Sequence, residues 1–129
     1  MCSKGFFIDG EPFSRSHRSR AFYLISGWVK VLSFLRLKCF HVDEKLVKVK
    51  ERAVELINLH FAKMKNRRVH APDALAVAAL YIACVENGVP VTQWLIGQLA
   101  GRTEVFVRNN YKRLLIELNL ELTEHDYVP

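Results

Sequence analysis

Residues 72–87, Pro-Asp-Ala-Leu-Ala-Val-Ala-Ala-Leu-Tyr-Ile-Ala-Cys-Val-Glu-Asn, carry no charge between Asp73 and Glu86. Pro72 suits the first helical position, where a missing N–H costs nothing, and Asp73 suits the positive end of a helix dipole. Gly88 and Pro90 end the stretch. A helix with no polar face has to be buried all round. Ala74, Ala76, Ala78, Ala79 and Ala83 let neighbouring helices approach closely. The pattern therefore predicts a central helix with others packed around it. A chain of 129 residues, half of them apolar, is long enough for one such domain.

The neighbours are legible on both sides. Residues 19–37 predict a first helix, with Tyr23, Leu24, Gly27, Trp28, Val31, Leu32 and Leu35 as its apolar stripe. Asp43 is a good N-cap for a second helix ending near Lys63. Its inward positions are Leu46, Val49, Ala53, Leu56, Ile57, His60 and Phe61. His60, on that apolar face, reads as a hydrogen-bonded core residue rather than a ligand. Nothing alternates as a strand, and no internal repeat is present. The fold class is all-α, about five helices around the central one. Residues 1–18 form an arm or linker whose Phe6, Phe7, Ile8 and Phe13 either meet a partner or lie over the core. Residues 19–120 form the domain, and residues 121–129 an acidic tail.

Residues 92–115 read as two short helices joined by a tight turn. Thr92 and Thr103 are N-caps, and Gly101 stops the first helix where the chain needs positive φ. Trp94, Leu95, Leu99 and Ala100 give the first helix an apolar side. On the second, Val107, Tyr111, Leu114, Leu115 and Leu118 face inward, with Glu104 in the first turn. Val105, Arg108, Asn109 and Lys112 fall on a different face at i, i+3, i+4, i+7. One reading of this stripe is a solvated surface. The other is a helix for the DNA major groove: Arg for guanine, Asn for adenine, an apolar group for the thymine methyl and Lys for phosphate.

The formal charge of +6 favours an anionic partner. Basic residues gather in the first forty positions, in Lys63–Arg68 and in Arg102–Arg113. Arg67 and Arg68 lie in a basic hinge that is either a solvated loop or a phosphate contact. Three widely spaced cysteines, Cys2, Cys39 and Cys84, argue against a disulfide scaffold and fit a reducing compartment. Cys39-x-His41 is too little for a zinc site, so no metal and no cofactor is expected. No stretch is suited to span a membrane, and no signal-peptide layout is evident. Five scattered histidines and no nucleophile–base or carboxylate pair at motif spacing argue against an enzyme.

Ala71-Pro72 through Ala83 and Thr92 through Lys112 together resemble one cyclin-like repeat of the transcription factor IIB family, archaeal transcription factor B in particular. The most specific part is Thr103-Glu-Val-Phe-Val-Arg-Asn109 with Tyr111-Lys112. The likeness follows helix order over about residues 20–120 and is residue-level from about 71 to 115. It is closest to the family's second repeat, which reads the promoter element upstream of the TATA box through a helix-turn-helix. The resemblance implies a DNA-binding initiation factor contacting double-stranded promoter DNA through residues 103–113. TATA-binding protein and RNA polymerase are the implied protein partners. Val105 and Arg108 match the family's base-contacting positions, and the spacing adds Asn109. Thr103, Arg102 and Lys112 match the phosphate-contacting neighbourhood, with Arg113, Arg67 and Arg68 as further basic candidates. The compartment implied is the archaeal cytoplasm, at the nucleoid, or a eukaryotic nucleus. Three departures stand out. This stretch has length for a single repeat and carries no Cys-x-x-Cys ribbon; Arg102 replaces a small or apolar turn residue; Phe106 replaces a smaller one. The fold also serves as a protein-interaction adaptor, and such an adaptor has no need of the Val105–Lys112 stripe.

Overall fold

The computed structural model describes residues 12–35, 41–63 and 71–121, with side chains from residue 17 onward. Among them are five helices and no strand: α1 (Pro12–Phe34), α2 (Val42–Lys63), α3 (Pro72–Glu86), α4 (Gln93–Ala100) and α5 (Glu104–Leu118). Every residue of α3 from Ala74 to Val85 is buried, and α1, α2, α4 and α5 all pack against it. The alanine-rich helix is the hub that its missing polar face requires.

α1 begins at Pro12 rather than at residue 19, so helix extends into the stretch read as an arm. Pro12 fits an N-terminal helical position, and no Gly or Pro interrupts residues 13–26. Extending a helix already nucleated by packing costs little per residue. The buried stripe is also rotated from the expected one. Ala21, Ile25, Trp28 and Leu32 are buried, while Tyr23 is 77% exposed and Val31, Phe34 and Leu35 also face solvent. α1 is apolar on more than one side, and contact with α2 and α3 chose between the sides.

α2 starts one residue before Asp43. His41 takes the left-handed conformation (φ 56°), and its carbonyl accepts the Lys45 N–H at 2.9 Å, so Asp43 lies within the first turn rather than at the cap. Leu46, Val49, Ala53, Leu56, Ile57 and His60 are buried as their spacing predicts, and Phe61 is half-buried. His60 Nδ1 meets Glu117 Oε2 in a direct contact, both side chains being almost wholly buried. Lys63 Nζ donates to the Glu117 carbonyl at 3.1 Å. These contacts fasten the end of α5 to the end of α2. Arg52 ties α2 to α3 through Glu86 (Nε to Oε1, 2.7 Å), and this bond, with a second carboxylate at Glu55, holds the guanidinium protonated still more firmly than usual. No helix among the described residues is long and apolar enough to cross a membrane.

Candidate nucleic-acid interface

The unit formed by α4, the turn and α5 is built largely from local hydrogen bonds. Thr92 Oγ1 accepts the Leu95 N–H at 3.0 Å and starts α4. Gly101 ends it at φ 68° and ψ 33°. The Arg102 N–H reaches the Gly97 carbonyl at 2.8 Å and the Gly101 N–H reaches Gln98 at 3.2 Å, the paired bonds of a Schellman turn. The turn then passes so close to α4 that a Cβ on Gly97 would lie 2.7 Å from the Arg102 carbonyl oxygen. Thr103 Oγ1 accepts the Phe106 N–H at 3.1 Å and starts α5, with Glu104 in the first turn. Both predicted caps and the predicted glycine stop are therefore in place. Trp94 is a correction: it is 58% exposed, and Gln93, Ile96 and Gly97 make the buried side of α4. A helix of eight residues can bury only a narrow side: Ile96 is fully buried, and Gly97 lies against the turn.

α5 buries Val107, Asn110, Tyr111 and Leu114. The Tyr111 ring lies against Tyr81 of α3 with centroids 4.7 Å apart, and Asn110 Nδ2 donates to the Phe106 carbonyl at 2.8 Å. Leu115 and Leu118 are half-buried. With that side held by the core, the opposite side projects outward. Val105 is 51% exposed, and Asn109, Lys112 and Arg113 are exposed with it. Arg108 lies on the same face but is half-buried, its Nε donating to Gln93 Oε1 at 3.3 Å.

Arg102 is placed differently from the rest of the basic set. Its Nη2 contacts Asp73 Oδ2 at 2.5 Å, and its guanidinium lies over the Phe106 ring at 4.6 Å from the centroid. Arg102 and Phe106 are thus in contact with one another. Thr103 is exposed, with its hydroxyl engaged in the cap. Arg67 and Arg68 lie outside the described residues. Gln93, Gly97 and Asp73 were not singled out from the sequence as parts of this site; a glycine inside a helical pattern was the one available signal. No group of three or more His, Cys, Asp or Glu among the described residues could hold a metal ion.

Residues 40–117 match the family profile described as the transcription factor TFIIB repeat. The chain belongs to this family. The matched segment runs from just before α2 to the last turn of α5, and α1 lies ahead of it. The repeat has the cyclin-like, all-helical fold seen here. The chain is 45% identical over 74 residues to transcription initiation factor IIB of Pyrodictium occultum, covering 57% of this chain and 24% of that protein. It is 39% identical over 75 residues to transcription initiation factor IIB 1 of Thermococcus kodakarensis, covering 58% and 25%. Over 51 residues it is 51% identical to transcription initiation factor IIB of Sulfurisphaera tokodaii, covering 40% and 17%. The similarity thus extends over a quarter or less of the length of these TFIIB relatives. No solved structure matches the chain.

Proposed function

We propose that this TFIIB repeat binds promoter DNA, laying the N-terminal half of α5 in the major groove beside TATA-binding protein. The observation that carries the reading is the outward face of α5. Val105, Arg108, Asn109 and Lys112 project from a helix whose other side is fixed in the core, with caps at Thr103 and Asn119. Val105, Arg108 and Asn109 are the base-reading set, and Lys112 and Arg113 meet phosphates further along. Thr103 and Arg102 border the groove at the start of the helix, and Arg67 and Arg68 are further phosphate candidates. RNA polymerase is the further partner, reached through the assembled promoter complex. The activity is binding and positioning, without catalysis. It takes place at the archaeal nucleoid, or in the nucleus of a eukaryotic cell. One repeat offers limited contact area, so binding alone is weak and salt-sensitive, and TATA-binding protein strengthens it.

A second reading is a cyclin-like adaptor for another protein. It is favoured by the exposed Tyr23, Val31 and Phe34 on α1. Fluorescence anisotropy with a promoter duplex, at a series of salt concentrations and with and without TATA-binding protein, separates the two. The DNA reading expects a clear negative salt slope and tighter binding with the partner. No binding at low salt under either condition refutes it in favour of the adaptor.

A further inference from the structure

Arg102 sits where the DNA backbone would pass the start of α5, yet its charge is already engaged. Asp73, in the first turn of α3, supplies a carboxylate oxygen to its Nη2. Phe106 supports the other side of the guanidinium. The Arg102 side chain is 48% exposed and that of Asp73 28%, so the pair lies at the surface and open to exchange. An open groove of 460 Å³ runs beside it between α1, α3 and α4, lined by Arg20, Trp28, Asp73, Leu99 and Arg102 among others. A carboxylate and a phosphate present the same thing to a guanidinium: two anionic oxygens in one plane, suited to its fork.

We propose that Asp73 is an internal stand-in for a DNA phosphate, holding Arg102 in the free protein and yielding it when duplex docks. The inference rests on the DNA-binding reading of α5. Arg102 exchanges one anionic partner for another, with Phe106 keeping its guanidinium beside the turn. Asp73 is not stranded by the exchange. It is part exposed, Arg20 lines the same groove, and its other oxygen still accepts the Ala74 N–H at 2.9 Å. The consequence is a ceiling on affinity. Part of the gain from each Arg102–phosphate contact is spent on separating Arg102 from Asp73, and the Asp73 charge repels the backbone. Asp73 therefore makes this module bind DNA more weakly than its basic charge implies, and more dependent on a partner that docks beside it.

The test is a double-mutant cycle on the full chain, with one promoter duplex and a salt series. Asp73→Asn removes the charge but keeps the oxygen that accepts from Ala74, so α3 retains its start. It is expected to tighten binding by about threefold to tenfold at low salt and to steepen the salt slope by roughly one. Arg102→Ala is expected to weaken binding less in the wild-type background than in the Asp73→Asn background, because separating Arg102 from Asp73 offsets part of its phosphate contact. In the Asp73→Asn background the same change should abolish the whole gain. Glu51→Gln, on the exposed side of α2, makes an equal change in net charge and should give a smaller effect. Asp73→Asn binding more weakly with an unchanged salt slope would mean that the pair only positions α5. Equal losses from Arg102→Ala in both backgrounds would mean that Arg102 does not change partner. A gain matched by Glu51→Gln would reduce the effect to general charge. Each of these overturns the exchange while leaving DNA binding intact. Failure of every variant, wild type included, to bind duplex overturns the DNA reading and this inference together.

Discussion

Gly97 and Gly27 both lie inside helices, yet the same substitution should act on them with opposite sign. Replacing glycine by alanine in a helix gains about 0.5–1 kcal/mol, because the backbone loses less freedom on folding. At Gly27, on the exposed side of α1, an added Cβ meets nothing within 4 Å. Gly27→Ala should therefore show the full gain. At Gly97 the Cβ would sit 2.7 Å from the Arg102 carbonyl oxygen and 3.2 Å from the Thr103 carbonyl carbon and oxygen. These are backbone atoms, so no rotamer change relieves the clash. The turn between α4 and α5 has to move as a unit, against the Arg102–Gly97 hydrogen bond of 2.8 Å that closes it. Forced insertion of this kind costs about 1–3 kcal/mol, and losing one hydrogen bond adds about 1 kcal/mol. Set against the propensity gain, the net loss for Gly97→Ala is about 1–3 kcal/mol. Urea melts of both variants, fitted with a shared slope, read the two signs directly. The shift of α5 should also weaken DNA binding by Gly97→Ala at temperatures where the variant is still folded. If Gly97→Ala were stabilised as much as Gly27→Ala, the close approach of the turn to α4 would be refuted.

Three further outcomes follow from contacts already described. Arg108→Ala should flatten the preference for promoter over scrambled duplex by about 1–3 kcal/mol, while Lys112→Ala should weaken both duplexes alike and lower the salt slope by roughly one. Parallel salt titrations with both duplexes check this, and a loss of affinity without loss of preference in Arg108→Ala would place that residue among the phosphate contacts. Glu117→Ala removes a partner of the buried His60 and should cost about 1–3 kcal/mol in a urea melt; a change under about 0.5 kcal/mol would mean the contact between α2 and α5 contributes little. Burial pushes the Cys84 thiol from 9.0 up to about 12, so the folded chain keeps a proton that the unfolded chain releases. This contribution is constant below the unfolded value and is lost as pH rises from about 9 toward 12, by about 1.4 kcal/mol per pH unit. The stability gap between wild type and Cys84→Ala should therefore narrow above about pH 9; a gap independent of pH would contradict the burial of the thiol.

Much of this architecture depends on neighbours within a few residues, and that part was legible in the chain alone. Thr92, Gly101 and Thr103 act through hydrogen bonds to groups three to five positions away, so their roles as two caps and a stop were readable without a fold. The absence of any charge between Asp73 and Glu86 demanded full burial whatever the partners were. The outward stripe of α5 followed from the spacing of its apolar residues, because only one side of that helix is suited to a core. α1 is the contrasting case. It is apolar on two sides, and the period of a helix cannot say which side its neighbours will cover; packing buried Ala21 and Ile25 and left Tyr23 and Phe34 in solvent. Tertiary structure alone also brought together Arg102 and Asp73, 29 positions apart, and His60 and Glu117, 57 apart. It alone pressed the turn against Gly97. These pairings depend on the angles at which helices cross, and those angles are set by how all the side chains of the core fit at once.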